Sequence, residues 1–264
     1  MDRNRYDVRA AITATAVVVM SLLTMLALSM GAASARTQIS YKFQDEFNGG
    51  SGSAPDRSKW NYDLGSDNWG NNEIETYTNS RANSFQDGRG NLVIRVLKTR
   101  GGYTSARLKT NAIAYHGTWE ARIKLNVQQG TWPAWWAMGS GLPWPQGGEI
   151  DFMENYGWEN SIEASVHTPT GVPYEVRTKD QTRNISSGYH TYRMTWDDSG
   201  MRFSVDGTTF MTCSPNDPAV APWVFSSGTP LFMLLNVAVG GAAGTPPSST
   251  RFPVDMLVDY VRVW

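Results

Sequence analysis

The run Glu149-Ile150-Asp151-Phe152-Met153-Glu154 places three carboxyl groups inside one short apolar stretch. In a regular strand, residues two apart share a face. Glu149 and Asp151 therefore point the same way, and Glu154 would point to the other side. The adjacent Phe152 and Met153 break the alternation, and a β-bulge there returns Glu154 to the face of the other two acids. Carboxyls crowded on one face repel, so one of them is driven to hold a proton near neutral pH. An ionised carboxylate beside a protonated one supplies a nucleophile and a general acid, the pair that glycoside cleavage requires. A retaining reaction needs these groups roughly 5–5.5 Å apart. Five positions of unbulged strand would span roughly 16 Å at about 3.3 Å per residue, so the bulge and converging side chains must close that gap. A solvated acidic edge or a calcium site could use the same residues. Ile150, Phe152 and Met153 among the acids, with Gly147-Gly148 before them, argue against a solvated edge.

The surrounding sequence is one of strands. Trp119, Ala121, Ile123, Leu125 and Val127 alternate with polar residues, as do Tyr192, Met194 and Trp196, then Met201, Phe203 and Val205. Asp198-Ser199-Gly200 and Asp206-Gly207 are turn signals. Further strands are expected near 91–98, 104–114, 148–155, 161–168, 231–239 and 256–264, with a helical turn near Asp56–Trp60. Many short strands punctuated by Gly and Pro predict an all-β domain, a sandwich or jelly roll of two antiparallel curved sheets with a concave groove.

Composition narrows the partners. Twenty-three basic and 24 acidic residues give a formal charge of −1, which argues against nucleic acid or an anionic membrane as the main partner. Cys213 is the single cysteine, so no intrachain disulfide forms. Arg3, Arg5 and Arg9 precede an apolar stretch to about Met30, and Ala33-Ser34-Ala35 is an A-x-A cleavage signature. This predicts a signal peptide over 1–35, secretion, and one domain over 36–264; the alternative is a membrane anchor. The 11 tryptophans are numerous enough to serve both a core and flat platforms for sugar rings. Adjacent Trp135 and Trp136 must face opposite sides of an extended segment, one in the core and one in the groove.

The acidic run resembles the signature of glycoside hydrolase family 16 in its bulged E-x-D-x-x-E form. The likeness extends through Phe43-Gln44-Asp45-Glu46-Phe47-Asn48-Gly49, Asn71-Asn72-Glu73, Tyr77-Thr78, Tyr103–Arg107, Gly117–Arg122 and Trp132-Pro133-Ala134-Trp135-Trp136. It continues through Trp196, Val205-Asp206-Gly207, Asn236–Gly241 and Asp259–Val263. The resemblance implies a β-jelly roll and retaining endo-hydrolysis of a β-linked polysaccharide by a monomer that needs no cofactor for catalysis. Glu149 would be the nucleophile, Glu154 the acid/base and Asp151 their support. It is most similar to endo-1,3-β-glucanases (laminarinases); a galactan or mixed-linkage glucan, transglycosylation, or glycan binding without catalysis are the alternatives. Trp132 and Trp136 would be sugar platforms, His167 would stand near the acid/base, and Asn72 and Arg107 would bind sugar hydroxyls. Glu46, Gly88 and Asp259 match positions of a structural calcium. Ala242-Ala243-Gly244 departs from the pattern, where many relatives carry a larger residue.

Overall fold

In the computed structural model, alternating residues sort into two packed sheets. It describes residues 39–264 except 115, 159–160, 171–172 and 180–183. The leader expected over 1–35, and the anchor that is its alternative, lie outside the described residues. Among the described residues no helix is long and apolar enough to cross a membrane.

One sheet has ten strands, with Gly117–Leu125, His190–Asp197 and Val254–Val263 at its centre. The other has eight and runs Pro173–Lys179, Ser161–His167, Glu149–Glu154, Thr131–Gly139, Pro230–Val239, Arg107–Thr110 and Trp60–Asp63, with Ile113–Ala114 beside Pro230–Val239. Pairing is antiparallel except between Glu75–Tyr77 and Gly102–Ser105. This is the all-β jelly-roll sandwich that the alternation predicts. The expected strand over 104–114 divides at fully buried Ala106. Gly102–Ser105 joins the ten-stranded sheet and Arg107–Thr110 the eight-stranded one, so the chain crosses the core there. The helical turn expected near Asp56–Trp60 is a single turn, closed by Trp60 N–H donating to the Asp56 carbonyl, that leads straight into a strand.

Between the sheets Trp119, Trp135 and Phe152 form one aromatic stack. Phe152 lies 5.8 Å from Trp119 of the opposite sheet and 4.3 Å from Trp135 of its own neighbour. Trp135 is fully buried, whereas Trp136 is half-buried on the other face. The bulge is present. Trp135 pairs with Met153 and Trp136 with Asp151, which leaves Phe152 as the extra residue. Phe152 and Met153 both enter the core. Glycine fixes the approach to this strand: a Cβ on Gly139 would lie 1.9 Å from the Gly147 carbonyl oxygen, and Gly148 has φ +75°.

The face assignment predicts unequal costs of truncation. Trp135→Ala should lower unfolding stability by about 3–5 kcal/mol through the cavity it leaves. Trp136→Ala should cost roughly half as much or less, because its ring is already partly in solvent. Urea unfolding of both variants checks this, and the reverse order would contradict the assignment.

Candidate active site

Across the eight-stranded sheet, cleft-facing side chains form a floor for a cavity of about 400 Å³. Ser165 and His167 come from one strand, Glu149, Asp151 and Glu154 from the next, and Trp132, Trp136 and Met138 from the third. Asn236, Ala238 and Arg107 continue the floor, and the loop carrying Trp69, Asn71 and Glu73 makes a wall. Trp144 closes the opposite side and donates its indole N–H to Glu149. The bulge thus brings all three acids of the Glu149–Glu154 strand to one surface.

Their electrostatics follow from burial and crowding. Burial, then the negative neighbours Asp151 and Glu154, hold Glu149 well above the usual carboxylate range. Burial and then Asp151 do the same to Glu154, against the donors Trp132 and Tyr156 that favour its charged form. Trp132 Nε1 donates to Glu154 Oε1 at 2.7 Å, and the Tyr156 hydroxyl lies 3.0 Å from Oε2. Asp151 is 2% exposed and accepts from the Ser165 hydroxyl, with His167 Nε2 at 3.1 Å. The carboxyls of Glu149 and Asp151 approach within 4.8 Å, and this contact adds to the rise at Glu149.

His167 stands in register with Glu149 and bonds Asp151. That differs from the expectation that it adjoins the acid/base; the neighbours of Glu154 are Trp132, Tyr156 and Glu163. Arg107 lines the cleft, but its guanidinium is stacked 4.7 Å from both Trp69 and Trp136, with Asp63 beside Nε. Asn72 does not line the cleft, while its neighbours Asn71 and Glu73 do. Asn72 has φ +61°, and its carbonyl accepts from Gly241 N–H, so it shapes the wall through the backbone. Nor do Ala242 and Ala243 reach the cleft; Gly241 packs against Trp132 instead.

At the positions expected for calcium, Glu46, Gly88 and Asp259, the two carboxylates have arginine partners. Arg262 grips both oxygens of Glu46 at 2.8 and 2.7 Å, and Arg122 pairs with Asp259, so arginines already neutralise both carboxylates. Among the described residues, Glu149, Asp151 and His167 are the one group of acid or histidine side chains close enough to share a cation. Within that group His167 Nε2 lies 3.1 Å from Asp151 Oδ2.

The sequence reading passed over a second network. Trp136 Nε1 donates to Asn236 Oδ1 at 2.7 Å, Asn236 Nδ2 to Tyr77 Oη at 2.9 Å, and Tyr77 to Glu73 Oε2 at 2.8 Å. Beside it Glu75 is 1% exposed and accepts from Val239 N–H. Burial, then the contact with Glu73, pushes Glu75 up to about 8. The period-2 spacing of Glu73, Glu75 and Tyr77 was the available signal that all three share a face.

A family model for "Glycosyl hydrolases family 16" matches residues 70–262. The chain belongs to glycoside hydrolase family 16. It is an enzyme of glycosidic bonds. A β-glucanase of Rhodothermus marinus is 33% identical over 80% of this chain and 80% of its own length. A glucan endo-1,3-β-glucosidase of Cryptopygus antarcticus is 32% identical over 84% of this chain and 90% of its own. The solved laminarinase catalytic domain of Thermotoga maritima superposes with a TM-score of 0.77 at 33% identity, covering 85% of this chain and 97% of that one.

Glu75 gives the family 16 chain a measurable pH dependence. A carboxyl raised in the fold binds more protons folded than unfolded, so stability falls as pH rises from about 4.5 toward about 8. Glu75→Gln should flatten that part of the profile that Glu75 contributes, raising Tm at pH 8 by roughly 2–4 °C for each 1 kcal/mol recovered. Glu149 and Glu154 add a fall of the same sign that this variant leaves in place. Melting curves from pH 5 to 8.5 decide it; an unchanged slope would exclude Glu75 as a source.

Proposed function

We propose that the protein is a retaining endo-β-glucanase acting on β-1,3-linked glucans of the laminarin type. The observation that carries this reading is the bulge at Phe152-Met153, which puts Glu149, Asp151 and Glu154 together on the floor of a tryptophan-lined cleft. A binding module needs the aromatic floor but gains nothing from burying three carboxyls there. The β-1,3 preference rests on the names of the relatives and on the bulged spacing.

In this reading Glu149, with Trp144 donating to it, attacks the anomeric carbon. Ser165 and His167 hold Asp151 in place. Glu154 gives its proton to the departing oxygen as the glycosidic bond breaks, leaving a glycosyl ester on Glu149. Water then attacks that ester and returns a proton to Glu154. Trp132 presents its ring to a sugar while its N–H fixes Glu154. Trp136, with Arg107 stacked against it and its N–H on Asn236, offers a second, rigid platform. An open cleft along the sheet suits internal cleavage of a polymer by a monomer.

Glu149→Gln and Glu154→Gln should each lower kcat on laminarin by about 10²–10⁴-fold or more, with both variants folded. Product configuration, read by NMR at early times, should match that of the substrate. Equal turnover by Glu149→Gln would sink the nucleophile assignment, and an inverted anomer would sink retention. Side-by-side digestion of laminarin, lichenan, agarose and xyloglucan tests the linkage; release from agarose alone would replace the substrate while keeping the mechanism.

The leader with Arg3, Arg5, Arg9 and Ala33-Ser34-Ala35 supports export with cleavage near Ala35. The intact mass of protein recovered from culture medium should correspond to a start near Arg36. Retention of the full chain in the membrane fraction would favour the anchor instead.

A further inference from the structure

Behind Glu154 lies a second buried carboxyl that the reaction above does not use. Glu163 is the register partner of Glu154 on the neighbouring strand. The two residues are 4% and 6% exposed, and residues directly opposite in an antiparallel pair share a face. Two like charges there repel in a poorly screened setting. The Tyr156 hydroxyl stands between them, 3.0 Å from Glu154 Oε2 and 3.1 Å from Glu163 Oε1.

A phenol has one proton to donate and lone pairs to accept with. When Glu154 is protonated, it can donate to the phenol oxygen while the phenol donates to Glu163. Once Glu154 has lost its proton, the same O–H can turn and donate to the new carboxylate. The Tyr156 ring is 5.1 Å from Trp132, whose N–H holds the other oxygen of Glu154, so the ring stays in place while the hydroxyl rotates.

We propose that Glu163 is a positioning residue which acts through the rotating Tyr156 hydroxyl to hold the proton on Glu154 before bond cleavage and to stabilise its carboxylate afterwards. The inference rests on Glu154 being the acid/base. The steps balance without a further reactant. Glu154 loses its proton to the leaving oxygen, and the Tyr156 O–H swings from Glu163 to Glu154. Water later returns a proton to Glu154 and the O–H swings back, so Glu163 neither gains nor loses a proton over the cycle.

Other charged groups face Glu154 from several elements. Glu149 and Asp151 share its strand, His167 lies on the next, and Arg107 and Glu73 stand across the cleft. The Tyr156 hydroxyl is the group that reaches an oxygen of each, at 3.0 Å from Glu154 and 3.1 Å from Glu163.

The test is the alkaline limb of kcat/KM on laminarin, which reports loss of the proton from Glu154. Glu163→Gln removes the like charge, so that limb should move to lower pH by roughly 0.5–1 unit. Tyr156→Phe removes the donor to the carboxylate, so the limb should move to higher pH by a similar amount. In the Tyr156→Phe background, Glu163→Gln should shift the limb by less than half as much as it does alone. A limb unmoved in Glu163→Gln would overturn the proposal, as would equal shifts in both backgrounds, which would mean direct repulsion without the relay. Melting temperatures confirm that each variant is folded. Glu154→Gln, assayed on an aryl β-glucoside whose leaving group needs no proton, separates this from the assignment beneath it. A retained burst of aryl alcohol there, about one per enzyme, with laminarin turnover lost, keeps Glu154 as the acid/base whichever way Glu163 behaves.

Discussion

A strand buried on one face by a core and lined on the other by acids must keep the two sets apart, and its period of two allows no error. In the Glu149–Glu154 strand the separation is made by a single extra residue. Phe152 and Met153 are neighbours in sequence, yet both enter the core, and Phe152 there touches Trp119 of the opposite sheet. Their burial holds the bulge in place. With both residues kept and the bulge ironed out, Glu154 would turn toward Trp119 and Trp135 and leave a carboxyl in an apolar core. The aromatic stack between the sheets and the acidic surface above it are thus one constraint seen from two sides.

The bulge also decides what stands opposite Glu154. Glu149 pairs with His167 and Asp151 with Ser165, and an uninterrupted ladder would bring Ile162 across from Glu154. The extra residue shifts the register by one and brings Glu163 there instead. A side chain that would otherwise lie in the core is replaced by an acid on the cleft side. The site therefore carries a fourth acid beside the three of the Glu149–Glu154 strand, and it is held by donors on several sides. Trp132 and Tyr156 serve Glu154, Ser165 and His167 serve Asp151, and Trp144 serves Glu149. Each donor lowers the cost of burying a carboxylate without abolishing the crowding that keeps a proton in the group.

The legible part of this design was local in sequence. Alternation located the strands around Trp119, Tyr192 and Met201, and Asp206-Gly207 located a hairpin whose two turn residues have φ +48° and +78°. The Phe152-Met153 pair announced the bulge because the defect lies within one strand. Crossings between sheets were not legible: Ala106 looks like any strand residue, and only packing makes it the point where the chain changes layer. Pro133 would ordinarily argue against an interior strand. Here it sits beside the end of the Glu149–Glu154 strand, where its carbonyl accepts from Asn155 and no ladder donor is needed. The family resemblance points to Asn72, but the loop, with Asn68, Trp69 and Asn72 all at positive φ, turns Asn71 to the cleft instead, and that handedness is not written in residue type. The position of His167 depended on register, which the bulge itself alters.

Two tyrosines serve the cleft, Tyr156 in its lining and Tyr77 buried behind Glu73, and their hydrogen bonds differ in kind. On the Tyr77 side Trp136 can only donate, so Asn236 must present its oxygen to it and its amide N–H₂ to Tyr77. Tyr77 then has no choice but to give its proton to Glu73. Every donor in that chain is fixed by the one before it, which makes it a scaffold that holds the Trp136 ring at one angle. On the other side Tyr156 lies between two carboxyl oxygens, each an acceptor when ionised and a donor when protonated. The direction of its hydroxyl can therefore follow the proton on Glu154. A group that must give up a proton and take one back within each turnover is better served by that second kind of partner. The fold supplies it beside Glu154 and the rigid kind beside the sugar platform.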